Sequence, residues 1–163
     1  MDLQKAFDTV NHDILLHKLY NCGIRGKMHD WIRDYLSNRK QFTVVGAMKS
    51  SLSSIHCGVP QGSVLGPILF LIYVNDICNA IDEPKPRIFA DDTNLFIFDK
   101  NITSLSNKCN EALLRIYDWM LANKLSLNIE KTCYSLFATP SKQNPSIALQ
   151  LSVNNIKIQR SCC

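Results

Sequence analysis

Apolar positions along this chain switch between a helical and a strand spacing, and the switches mark out its elements. Ile14, Leu15, Leu16, Leu19 and Tyr20 line one side of a helix that follows Asp8–Asp13, a run of helix-starting residues, and stops at Cys22-Gly23. Asp8 reads there as the helix N-cap. Met28, Trp31, Ile32, Tyr35 and Leu36 repeat the pattern over about Lys27–Ser37, with Trp31 on the apolar side. Gln41–Val45 and Ser53–Cys57 predict two strands joined by a turn near Gly46–Ser51. Gly58-Val59-Pro60-Gln61-Gly62 is a loop. An apolar helix leaves it at Ser63 and runs to about Ala80, with Pro67 in the first turn, where no hydrogen bond is lost.

Beyond the polar linker Glu83–Pro86, Arg87–Ala90 and Asn94–Phe98 flank Asp91-Asp92-Thr93 and predict a hairpin with two carboxylates at or near its tip. Thr103–Asn123 predicts the longest helix, burying Leu105, Cys109, Leu113, Ile116, Trp119 and Met120. Tyr134–Ala138, Ala148–Val153 and Ile156–Gln159 follow as strands, the last two joined by Asn154-Asn155 in a tight-hairpin pattern. Short strands alternating with helices predict an α+β fold, with helices packed on one face of a small antiparallel sheet.

Composition narrows the class. With 163 residues, 46% hydrophobic and 20% charged, the chain is one globular domain and neither disordered nor fibrous. Of its seven cysteines only Cys162 and Cys163 are neighbours, and none reads CxxC. Reduced thiols in the nucleus or cytoplasm are therefore expected, and a zinc site is not. His12, His17, His29 and His56 share no metal-ligand spacing. The longest apolar run, Val64–Val74, has 11 residues, short of the roughly 20 that span a bilayer, so no membrane partner is expected. The net charge of +4 is a weak pointer to nucleic acid. No Lys or Arg occurs between Ser51 and Pro84, which marks that stretch as core and site floor.

Chemistry concentrates at Asp91-Asp92. Two carboxylates about 4 Å apart repel by roughly 4 kcal/mol at an effective dielectric of 20. Ile88, Phe89, Leu95 and Phe96 predict apolar packing beside them. A bound cation is the natural compensation, and oxygen ligation favours Mg²⁺ or Mn²⁺. A solvated Asp-Asp turn fits the same residues. Asp2 heads Asp2-Leu3-Gln4-Lys5-Ala6-Phe7-Asp8. An aspartate ending a strand, with an aromatic five residues on, sets a metal ligand beside a ring able to exclude a sugar 2′-hydroxyl. Plain core packing is the alternative for Phe7.

Asp2–Phe7, Pro60-Gln61-Gly62-Ser63, Phe89-Ala90-Asp91-Asp92 and Asn128-Ile129-Glu130-Lys131-Thr132 resemble, in order, motifs A to D of reverse transcriptases. The wording is most similar to non-LTR, LINE-type (jockey-like) retrotransposons, visible in Ala6–His12, Tyr35–Gln41, Gly58–Leu71 and Trp119…Asn123-Lys124-Leu125. The resemblance covers about Asp2 to Arg160. It implies a polymerase palm over residues 1–163, with a ferredoxin-like core and without fingers or thumb. The implied activity is RNA-directed DNA polymerisation: deoxynucleoside triphosphates are joined to a DNA primer 3′-hydroxyl on an RNA template by two Mg²⁺ (or Mn²⁺) ions.

By the same resemblance Asp2 and Asp91 bind the ions and Asp92 supports them. Phe7 matches the sugar gate. Gln61 and Gly62 match the loop lining the incoming nucleotide and template, with an ordinary helix-entry turn as the alternative. Lys131 matches a proton donor or charge partner for pyrophosphate, with a solvated surface lysine as the alternative. The chain opens almost on motif A and ends soon after a strand-like run, so both ends read as cuts. Most phosphate contacts of a polymerase would then lie elsewhere, and this chain alone is not expected to extend a primer. The competing reading is a truncated, inactive element remnant, at most a metal- or partner-binding module.

Overall fold

A computed structural model describes residues 1–90, 92–138 and 148–161. The chain divides into two compact units, Lys5–Asn75 and Met1–Gln4 with Asp76–Cys163. The fold is α+β, with four α-helices and short two-stranded ladders, four antiparallel and one parallel among the described residues. No helix among them is long and apolar enough to cross a membrane.

In the Lys5–Asn75 unit, α1 (His12–Asn21) buries Leu15 and Leu19, and α2 (Lys27–Leu36) buries Ile32 and Leu36. The α1 N-cap is Asn11, whose Oδ1 accepts the Ile14 N–H, and not Asp8. Asp8 falls one turn too early because Phe7 and Val10 are tied by their carbonyls to the N–H groups of Val59 and Gly58. Trp31, expected in the core, is 52% exposed and stacks on Tyr35. Four short strands follow: β1 (Lys40–Gln41), β2 (Val44–Val45), β3 (Met48–Lys49) and β4 (Ser53–Ser54). They form one hairpin arm in two ladders, with Lys40 opposite Ser54 and Val45 opposite Met48. The reversal is tighter than the expected turn over Gly46–Ser51, because Gly46 takes φ +61° and closes it in two residues. Three residues, 50–52, then face two, 42–43, so the arm is bulged and each ladder short.

Helix α3 (Leu65–Val74) buries Leu69, Phe70, Tyr73 and Val74, and carries Pro67 in its first turn. It gives way to a 3-10 turn over Asn75–Asn79, where the apolar run ends. Ser63 Oγ accepts the Gly66 N–H and donates to the Pro60 carbonyl, which fixes the entry from the loop.

In the other unit, β5 (Arg87–Phe89) and β6 (Asp92–Asn94) form a hairpin. Helix α4 (Ile102–Ala122) is capped by Asn101, whose Oδ1 accepts from Thr103 and Ser104. Its Leu105, Cys109 and Leu113 pack with Leu149, Leu151, Val153 and Ile158 into one core. Trp119 is half-buried. β7 (Cys133–Tyr134) is shorter than expected and pairs in parallel with β10 (Gln159–Arg160). β8 (Ser152–Val153) and β9 (Ile156–Lys157) turn through Asn154 and Asn155, both left-handed at φ +49° and +63°. The cysteines among the described residues are free, and burial pushes the Cys109 thiol pKa up.

Candidate active site

Asp2 is placed by its neighbours in the chain. The Met1 α-ammonium donates to the Thr93 carbonyl at 2.7 Å and the Thr93 N–H donates to the Met1 carbonyl at 3.0 Å, the reciprocal pattern of an antiparallel pair. The next pair along is Asp2 and Asp92, whose side chains therefore leave on the same face. On its other edge this strand pairs Leu3 with Leu127, and the Gln4 N–H donates to the Ser126 carbonyl. Asp2 thus lies between β6 and residues 126–128.

Three hydrogen bonds from one turn hold Asp2. The Asn128 N–H donates to the Asp2 carbonyl at 2.9 Å, and Asn128 Nδ2 donates to Asp2 Oδ2 at 3.0 Å. The Asp2 N–H donates to Thr132 Oγ1 at 3.4 Å, and that hydroxyl donates to the Asn128 carbonyl at 2.7 Å. Lys131 Nζ stands 3.9 Å from Asp2 Oδ2, on a side chain that is 74% exposed. Lys131 is thus both solvated and within ion-pair reach of Asp2.

The β5–β6 register pairs Phe89 with Asp92, so Asp92 is the first residue of β6 and lies near the tip of the hairpin, as expected. Ala90, at φ +54°, begins the reversal one residue earlier than expected. Asp91 lies outside the described residues. The apolar packing expected around the pair is thin: Phe89 and Phe96 are 82% and 70% exposed. A divalent cation fits what is present, since Asp2 and Asp92 supply hard carboxylate oxygens in adjacent positions. Among the described residues no three His, Cys, Asp or Glu side chains converge.

Phe7 and Gln61 stand in the Lys5–Asn75 unit. Phe7 is half-buried, its ring stacked on the buried Phe70 with centroids 4.7 Å apart. Core packing and an exposed edge therefore coexist. Gln61 Nε2 donates to Asp8 Oδ1 at 2.8 Å. A carboxylate only accepts, so the amide must turn its NH₂ to Asp8. The loop reaches Asp8 closely: a Cβ on Gly58, at φ +88°, would lie 2.9 Å from the Asp8 carbonyl oxygen. His12 Nε2 donates to the Gly58 carbonyl at 2.8 Å. Gly62 takes φ +82° in open space, so backbone conformation alone demands glycine there. A groove of about 660 Å³ runs beside the loop, lined among others by Lys5, Asp8, Arg39, His56 and Gln61. It offers two fixed cations and one carboxylate.

Asn128, Thr132 and Gly58 carry contacts here that no residue pattern predicts, and Asp8 turns the Gln61 amide where a helix cap was expected. Asn128 and Thr132 flank Lys131 in the Asn128–Thr132 run, and their polar side chains are the signal for them.

Residues 1–158 match the family profile described as reverse transcriptase (RNA-dependent DNA polymerase). The chain is 31% identical over 156 residues to the RNA-directed DNA polymerase from mobile element jockey of Drosophila melanogaster, covering 91% of this chain and 17% of that protein. It is 31% identical over 146 residues to the probable RNA-directed DNA polymerase from transposon BS of the same fly, covering 83% of this chain and 16% of that protein. A Pol polyprotein from the type-1 retrotransposable element R2 of Popillia japonica is 31% identical over 124 residues, covering 67% of this chain and 20% of that protein. The chain thus spans about a sixth of the length of these two fly relatives.

Proposed function

This chain belongs to the reverse transcriptase (RNA-dependent DNA polymerase) family, and from that premise we propose that it is the palm of a non-LTR retrotransposon polymerase. Residues 1–163 form that palm on a ferredoxin-like core and carry motifs A to D. Its reaction joins a deoxynucleoside triphosphate to a DNA primer 3′-hydroxyl on an RNA template. Asp2 and Asp91 hold the divalent ions, with Asp92 beside them. Two Mg²⁺ or Mn²⁺ ions, when bound, activate the hydroxyl and neutralise the triphosphate.

The chain's other residues orient and exclude. Phe7, backed by Phe70, rejects the ribose 2′-hydroxyl by bulk. Gln61, turned by Asp8, and Gly62 line the nascent base pair. Lys131 Nζ gives its proton or its charge to the departing pyrophosphate. The observation that carries the reading is the Met1–Thr93 pair, which sets Asp2 across from Asp92. Facing backbone positions for Asp2 and Asp92 support a polymerase over an inert remnant.

RNA-templated primer extension by the full-length parent enzyme tests it. Asp91→Asn is expected to cut incorporation by roughly 100-fold or more, beyond the 10- to 100-fold typical of residues that merely orient metal ligands. Extension at the wild-type rate would overturn the assignment. A parent inactive with its native aspartates, across Mg²⁺ and Mn²⁺ concentrations, would favour the remnant.

A further inference from the structure

Asn128 makes more contacts to Asp2 than any family role given above requires. Its backbone N–H and its side-chain Nδ2 both bond to Asp2, at the carbonyl and at Oδ2. Its Oδ1 accepts the Lys131 N–H at 3.4 Å, closing the turn on itself. The orientation of the amide is thereby set twice, since a carboxylate demands a donor and an N–H demands an acceptor. A flipped amide would set oxygen against oxygen at one end and N–H against N–H at the other. Thr132, 2% exposed, locks the same turn from beneath, with its hydroxyl bonded to the Asn128 carbonyl and its N–H to that carbonyl at 3.0 Å.

The two oxygens of Asp2 are therefore unequal. Oδ2 has the Asn128 amide at 3.0 Å and Lys131 Nζ at 3.9 Å. Oδ1 has no partner among the described residues. A free aspartate side chain samples three χ1 wells, and binding a cation then costs the entropy of choosing one. A single donor fixed by its own turn makes that choice beforehand.

We infer that Asn128 is a positioning residue for Asp2: it holds Oδ2, selects one side-chain rotamer and leaves Oδ1 as the oxygen offered to a divalent cation. This rests on the reading of Asp2 as a metal ligand, and the test separates the two.

The first measurement needs no metal. Three-bond couplings from the backbone nitrogen and carbonyl carbon to Cγ report the Asp2 χ1 populations in the isotope-labelled 163-residue chain. Wild type is expected to show one rotamer and Asn128→Ala an average of several, while Lys131→Met leaves the single rotamer in place. One rotamer persisting in Asn128→Ala would overturn the inference. The second measurement is Mn²⁺ affinity by electron paramagnetic resonance on the same proteins. Asn128→Ala is expected to weaken binding roughly 10- to 100-fold, as loss of a partner that orients a metal ligand does. Unchanged affinity in a variant whose rotamers do average would also overturn it. Should Asn128→Ala fail to fold, the near-isosteric Asn128→Asp removes the donor while keeping the acceptor for the Lys131 N–H, and the same averaging is expected. Mn²⁺ binding that is indifferent to Asp2→Asn would instead overturn the metal reading of Asp2, whatever the couplings show.

Discussion

Asp2 is gripped by three hydrogen bonds from one turn, on its N–H, its carbonyl and its carboxylate, whereas the Gln61 side chain hangs from Asp8 by one bond on an exposed loop. The difference suits what each would touch. A carboxylate that meets a small hard cation must be set in advance, because metal–oxygen distances tolerate little error. A side chain beside changing base pairs gains from a single hinge-like contact. The loop makes up for that weak hold with backbone: Gly58 and Val59 bond to Val10 and Phe7, and Gly58 packs directly against Asp8.

That compensation is the most sensitive place to break the loop half of the comparison. Gly58→Ala forces a side chain into a left-handed conformation 2.9 Å from the Asp8 carbonyl oxygen. Strain and overpacking together are expected to cost about 3 kcal/mol, read as a lower urea midpoint at unchanged slope. A midpoint equal to wild type would show the loop to be as free as its single side-chain bond suggests. Phe7→Ala sharpens the same half more gently. With the ring gone from Phe70, discrimination against ribonucleotides in the parent enzyme is expected to fall roughly tenfold or more, the scale of one hydrophobic contact. Unaltered discrimination would leave Phe7 a packing residue.

The smallest effect belongs to the unit that holds Asp2. Asp99 accepts from the Asn101 N–H, pairs with Lys108 at 2.6 Å and accepts from Ser104. The Asn101 backbone bond, then the Lys108 bond, hold its carboxyl well below the usual carboxylate range. A depressed folded pKa adds stability above the unfolded value, about 3.9, and that stability is lost as pH falls below it. Thermal melts of Asp99→Asn are expected to start slightly below wild type near neutrality and to converge on it below about pH 4, so that the acid decline is shallower. An identical acid limb would remove Asp99 from the account of α4.

Much of this was legible in the residues themselves. The four helices follow from apolar spacing, and Asn154-Asn155 carries its hairpin because asparagine tolerates the left-handed region that both positions need. The motif order singles out Asp2, Gln61 and Lys131 as candidates. Other features turned on competition that a sequence does not display. Asp8 and Asn11 are equally good caps, and backbone bonds from the loop at 58–59 decided for Asn11. Ala90 entered a left-handed conformation that alanine rarely takes, which began the reversal one residue earlier than expected. The parallel pairing of β7 with β10 joins residues 26 positions apart, beyond any local pattern. Asn128 was in plain sight in motif D, but only geometry shows that its amide faces a carboxylate.

The central claim is that Asp2 and Asp91 act as one metal-dependent site, and a double-variant cycle in the full-length parent tests it most directly. Primer extension is measured for Asp2→Asn, Asp91→Asn and the pair. Groups that work as a unit are grossly non-additive, so each single change should lose nearly as much activity as both together. Losses that multiply, or an Asp2→Asn enzyme that extends primers normally, would contradict the account.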